Sequence, residues 1–230
     1  MVTRSKRYLK AAAKVDHNKV YSAREALSLL KSLPAAKFDE TVDIAVKLTV
    51  DPKKSDQLVR GAVSLPKGLG KSVRVVVFAE GDKAEAAKGA GADVVGSGEL
   101  ADKIIGGWTE FDIVIASPDM MKHVGKLGKV LGPQGKMPSP KSGTVTPDVA
   151  QAVKEFKAGK IEFRTDAGGN VHARLGKRSF AVEDLEANLK AFIDHLLSIR
   201  PSTVKGSYVS KVSVSTSMGP GAWVAFESGA

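Results

Sequence analysis

The chain has 230 residues and a formal net charge of +10, from 35 Lys and Arg against 25 Asp and Glu, enough length for one large domain or two modest ones. It has no cysteine, which excludes disulfides and thiolate metal sites, and no apolar run near the roughly 18 residues needed to cross a bilayer. The basic start MVTRSKRYLKAAAKV has no apolar core of a signal peptide. A cytoplasmic protein is expected. Its positive field favours polyanions, and nucleic acid is preferred over a membrane surface because no basic helix with large apolar anchors stands out.

In chain order, KVYSAREALSLLKSL reads as a helix with capping-box spacing at Ser22 and Glu25, ended by Pro34. KFDETVDIAVKLTV alternates, with Val42, Ile44, Val46, Leu48 and Val50 on one side, as in a half-buried strand. SLPKGLGK, from Ser64 to Lys71, marks a boundary. The pattern then changes. VRVVVFA is apolar throughout, as in a strand covered on both faces, and it is followed by a helix in GDKAEAAKGAG, a strand in ADVVG, a helix in ELADKIIGG, a strand in FDIVIASPD, a helix from Met120 and a last helix in PDVAQAVKEFKAG. IEFRTDAGGNVHARLG reads as a hairpin turning at Asp166 to Asn170. SFAVEDLEANLKAFIDHLLSI is a long helix burying Leu185, Leu189, Phe192 and Leu196, and two strand-like runs, VSKVSVSTS and AWVAF, close the chain.

The simplest assembly is mixed α/β and α+β in two domains. Residues 1–66 and 159–230 form a discontinuous α+β domain, and residues 67–158 are an inserted α/β unit with a largely parallel sheet. The insertion has 13 basic and 11 acidic residues, net +2, and the remainder 22 and 14, net +8. Residues 120–141 hold five lysines (Lys122, Lys126, Lys129, Lys136, Lys141) and no acid. The insertion therefore has one basic end, and Ser64–Lys71 and Phe156–Lys160 are expected to act as necks.

No pattern compels a catalytic reading. GLGKS resembles the end of a phosphate loop, but the glycine such a loop needs falls at Leu65 and the segment precedes its strand; a hinge is favoured. The turn AEGDKAEA has a single glycine, so the doubly wound pattern comes without a phosphate cradle. The four histidines (His17, His123, His172, His195) have no metal-binding spacing, and no nucleophile elbow is present. No cofactor, metal or catalysis is expected.

The nucleic-acid candidates are sharper. LGPQGKMPSP, with Lys129 just before it, offers Gly132, Gln134, Gly135 and Lys136 in a fixed loop whose backbone N–H groups can face phosphates; a rigid connector explains it equally well. In KFDET, Phe38 can stack or lie in a shallow RNA minor groove while Lys37 meets a phosphate, or Phe38 can staple onto the strand. In KVSVSTSMGPG, Lys211, Ser213, Ser215 and Ser217 share one strand face suited to ribose 2′-OH and phosphate, unless that face is merely solvated. Met218 and Gly219 then allow close backbone approach.

KFDETV, SLPKGLGK, KLGKVLGPQGKMPSP, AGKIEFR and STSMGP, in this order and spacing, resemble the bacterial-type L-one family of large-subunit ribosomal proteins, from about residue 4 to about residue 220. The resemblance implies a split domain with a Rossmann-like insertion. It implies binding to the mobile stalk of large-subunit ribosomal RNA near the transfer RNA exit site, and repression of the protein's own operon through a messenger RNA that mimics that site. It also implies a protein monomeric off the ribosome, with RNA contacts at Lys37, Phe38, Thr41, Ser215, Thr216, Ser217, Met218 and Gly219, flanked by Arg164. The serine-rich SVSTS and the ending GAWVAFESGA depart from the family's habit.

Overall fold

The computed structural model describes residues 4–54 and 56–226. In chain order the elements are α1 (Lys6–Ala12), β1 (Val20–Tyr21), α2 (Ala23–Ser32), β2 (Thr41–Leu48), β3 (Arg60–Ser64), β4 (Val75–Phe78), α3 (Asp82–Gly89), β5 (Val94–Gly96), α4 (Gly98–Ile105) and β6 (Ile113–Ala116). They continue with α5 (Met121–Gly125), α6 (Gly128–Leu131), α7 (Val149–Ala158), β7 (Lys160–Arg164), β8 (Asn170–Lys177), α8 (Val182–Ser198), β9 (Val209–Thr216) and β10 (Gly221–Val224). The fold is mixed α/β. It groups into two compact units, one made of the chain up to Gly70 with Ile161 onward, the other of Lys71–Lys160.

The first unit is built on a five-stranded sheet in the order β1-β10-β9-β2-β8, antiparallel except for the parallel β1–β10 pair. β2 alternates as its sequence requires, with Val42, Ile44, Val46 and Leu48 buried and their neighbours facing outward. Helices α2 and α8 lie on that apolar side, where Leu27, Leu30, Leu185, Leu189, Phe192 and Leu196 join one core. α2 starts where a capping box allows: the Ser22 hydroxyl accepts from the Glu25 N–H and the Glu25 carboxylate accepts from the Ser22 N–H, satisfying two otherwise orphaned donors.

The expected Ile161–Arg174 hairpin does not form as a paired ladder. β7 pairs with β3 in a separate two-stranded sheet, while β8 joins β2. Beyond β7, an isolated Thr165–Val171 bridge and the Asp166 N–H bond to the Asn170 carbonyl close the turn toward β8. The Asp166 carboxylate gathers the intervening turn by accepting from the N–H groups of Gly168 and Asn170 at 2.8 and 2.7 Å.

In the second unit β5, β4 and β6 form a parallel sheet in that order. Val76 and Phe78 face one core and Val75 and Val77 the other, which explains why β4 is apolar at every position. The single helix expected from Met120 is instead a three-ten turn over Pro118–Met120 followed by α5 and α6. Gly125 and Gly128 fall at this break, where their conformational freedom weakens a continuous helix.

The Ser64–Gly70 segment is anchored to the first unit. The fully buried Asn188 of α8 accepts from the Lys67 N–H and donates to the Gly68 and Leu175 carbonyls at 3.0, 3.0 and 2.7 Å. Gly70 follows with φ 67° against the Phe180 ring, 2.6 Å from where a Cβ would sit, so no other residue fits there without strain. Among the described residues no helix is long and apolar enough to cross a membrane.

Candidate nucleic-acid interface

Two segments far apart in sequence meet at one end of the five-stranded sheet. β2 begins at Thr41 and β9 ends at Thr216, and the two strands are antiparallel neighbours. Beyond the ladder the pairing continues. The Ser217 N–H donates to the Thr41 carbonyl at 3.0 Å, and the Ser217 hydroxyl accepts from the Thr41 N–H at 3.0 Å.

Glu40 is the keystone of this corner. It is 0% exposed, and its carboxylate accepts from the N–H groups of Ala36 and Met218 at 2.6 and 3.2 Å. Arg178 and Arg7 stand 3.5 and 3.9 Å from it. Burial alone would raise its pKa; hydrogen bonds from the Ala36 N–H, the Thr216 hydroxyl and the Met218 N–H, with the Arg178 charge, more than offset this and hold it below the usual carboxylate range. Arg7 also donates to the carbonyls of Met218 and Pro34 at 2.6 and 3.0 Å. The loops before β2 and after β9 are thus tied through charge-assisted bonds, which are stronger and shorter than neutral ones.

Anchoring the backbone leaves the side chains outward. Lys37 is exposed, and Phe38 is 55% exposed and Met218 52%. Thr41 is half-buried, with the Lys177 ammonium 3.3 Å from its hydroxyl. Gly219 packs so closely that a Cβ there would collide with Thr216 Oγ1.

The expected contact through Thr216 needs correcting. Thr216 has inward parity on β9, is buried, and gives its hydroxyl to Glu40, so its side chain supports the corner from beneath. Lys211, Ser213 and Ser215 alternate outward against buried Val212 and Val214. Ser215 and Arg174 flank Asp43, Ser213 and His172 flank Ala45, and Lys211 and Asn170 flank Lys47. The open sheet face is therefore polar and mostly cationic. Its central acid, Asp43, has its pKa raised by partial burial, against the opposing pull of Arg174, Lys177 and His172.

Two other predicted contacts lie elsewhere. Arg164 is exposed at the end of β7, in the two-stranded sheet. In the second unit Lys129, Gly132, Gln134 and Gly135 are exposed, in keeping with a loop open to a phosphate. Lys136 is not free for that role. Its ammonium donates to the Phe111 and Thr109 carbonyls at 2.7 and 3.1 Å and lies 4.8 Å from the Phe111 ring centroid, so it ties the loop to its own unit.

Sequence reading missed Glu40, Arg7 and Arg178. A signal for Glu40 was present: it shares the parity of Val42, Ile44, Val46 and Leu48, so the same alternation aims a carboxylate into the core, where it must find partners. Nothing local marked the two arginines, which come from α1 and from the loop after β8.

Residues 29–220 match the model of the Ribosomal protein L1p/L10e family. The chain belongs to this family. Family relatives named large ribosomal subunit protein uL1 extend over nearly its whole length. The Bordetella pertussis protein is 57% identical, covering 97% of both chains. Those of Cutibacterium acnes and Kosmotoga olearia are 57% and 53% identical, covering 95% and 96% of this chain and 94% and 96% of their own.

Proposed function

We propose that the protein is a non-catalytic component of the large ribosomal subunit, cytoplasmic with the ribosome and monomeric off it, that binds the folded stalk of the subunit's RNA near the exit-site transfer RNA. The supporting observation is the Glu40 corner. It holds two backbone loops rigid while presenting Phe38, Met218 and a row of serines beside a cationic sheet face. RNA recognised by shape and ribose hydroxyls asks for this combination: fixed backbone and apolar side chains for fit, hydroxyls for 2′-OH groups, and lysines for salt-sensitive attraction. In this reading the discontinuous unit is the RNA-binding domain and the Lys71–Lys160 unit a Rossmann-like insertion, jointed to it just beyond the Asn188 anchor and carrying a second, weaker contact around Lys129–Gly135. The same surface serves to repress translation of the protein's own messenger RNA by binding a copy of the ribosomal fold.

The decisive experiment is hydroxyl-radical footprinting on purified large-subunit RNA, with a random RNA of equal length as competitor. Protection confined to the stalk and poor competition are expected. Scattered protection, or equal competition by the random RNA, overturns the reading.

A further inference from the structure

Trp223 faces outward from β10. Its neighbours Ala222 and Val224 point into the core, so strand alternation places the indole on the opposite, polar face, where it is 37% exposed. It stands beside Ser213 on β9 and Val20 on β1 and lines a groove of about 320 Å³ together with Val212, Val224 and the polar His17, Asn18, Ser210 and Lys211. The Lys211 ammonium is 5.3 Å from the indole ring centroid. The indole is not part of the core, and the comparable outward positions of this sheet hold small or polar residues such as Asp43, Ala45, Asn170, His172, Arg174 and Ser213.

Resting on the function proposed above, we infer that this groove is a stacking subsite for an unpaired nucleobase of the bound RNA, with Trp223 as the platform. The surroundings choose the occupant. Lys211 gives the groove a charge that a phosphate backbone complements, and the nearby Asp16 is turned to the Asn18 N–H at 2.9 Å. An apolar protein partner would leave this cation desolvated, whereas a nucleotide offers a π-face and an anion together. Lys211 now lies over the ring where a base would stack; a base entering displaces it, and its flexible stem lets it follow to the phosphate, exchanging an exposed cation–π contact for a stack and an ion pair. The subsite is continuous with the Glu40 corner. Ser215, Ser213 and Lys211 descend β9 in one column, about 13 Å at ~3.3 Å per residue, with Ser217 just past the strand's end.

The test measures affinity for a stalk fragment of large-subunit RNA by wild type, Trp223→Ala and Trp223→Phe. It also follows Trp223 emission during titration of Trp108→Phe protein, in which Trp223 is the sole tryptophan. Trp223→Ala is expected to bind about tenfold more weakly, within the span for losing one base stack, with Trp223→Phe close to wild type and Trp223 emission quenched at saturation. Unchanged affinity in Trp223→Ala, or unmoved emission at saturation, overturns the subsite; the emission arm leaves Trp223 itself intact and so does not depend on a variant folding. Failure of wild type to prefer the stalk fragment over a shuffled RNA sinks the proposed function and the subsite with it. Normal preference with a silent Trp223 sinks the subsite alone.

Discussion

The backbone N–H of Met218 donates to the buried carboxylate of Glu40 across 178 positions of sequence. This bond fixes the backbone of an exposed methionine, because Met218 cannot move away without taking a hydrogen bond from the buried Glu40 carboxylate.

Replacing Glu40 therefore acts on stability and on binding together. Glu40→Ala leaves two arginines facing a vacated site and is expected to cost about 3–5 kcal/mol, as for other broken buried pairs, read from urea unfolding. Because the folded pKa of Glu40 lies below its unfolded value, its contribution is complete above the ordinary carboxylate range of about 4.3 and is lost as pH falls through the lower folded value. Glu40→Gln is expected to be less stable at neutral pH and to lose less of its stability on acidification than wild type. Parallel pH–stability curves would show that the charge of Glu40 is not what holds the corner.

Met218 and Phe38 separate surface from scaffold. Both side chains are more than half exposed, so Met218→Asp and Phe38→Ala are expected to leave circular dichroism and unfolding midpoint nearly unchanged. Each is expected to weaken stalk-RNA binding by about 1–3 kcal/mol, the scale for a lost base contact. Full affinity in both variants would remove this corner from the interface.

The loop lysines divide by where their ammonium groups point. Lys129 is exposed, while Lys136 is committed to the Thr109 and Phe111 carbonyls. Lys129→Ala is expected to reduce the slope of log affinity against log salt by up to about one without affecting stability. Lys136→Met is expected to lower stability and leave the slope in place. The reverse pattern would show that Lys136 leaves its carbonyls to meet phosphate.

Asn188→Leu tests the anchor of the Ser64–Gly70 segment. It removes the partner of the Lys67 N–H and of the Gly68 and Leu175 carbonyls, at about 1–3 kcal/mol for each group left buried without water. Faster amide exchange at Lys67 with the rest of the first unit protected is the expected signature; unchanged exchange there would mean that Asn188 does not hold the segment.

How much of this was legible depended on the range of the interaction. The α2 capping box, the alternation of β2, the apolar run of β4 and the buried stripe of α8 are set within a few residues, by hydrogen-bond spacing and by the period of side-chain burial, and each was readable from the chain. Lys37, Phe38 and Met218, which flank the ends of β2 and β9 and are exposed, were singled out through the family resemblance, since the local pattern left a structural role for Phe38 equally open.

Other features depend on which distant strands become neighbours. β7 and β8 look like a hairpin because their joining turn is tight, yet β7 pairs with β3 in a separate sheet. Thr216 looks like one more hydroxyl of a contact row until the sheet turns it toward Glu40. Lys136 looks like a phosphate ligand until two carbonyls of its own unit come within reach. Sequence alone determined which faces are apolar and where the charge lies, because each residue carries its solvation preference wherever the chain goes. The tertiary structure decided which polar groups are spent internally and which remain for RNA, because hydrogen bonding requires a partner at about 3 Å, and only the folded chain brings one there.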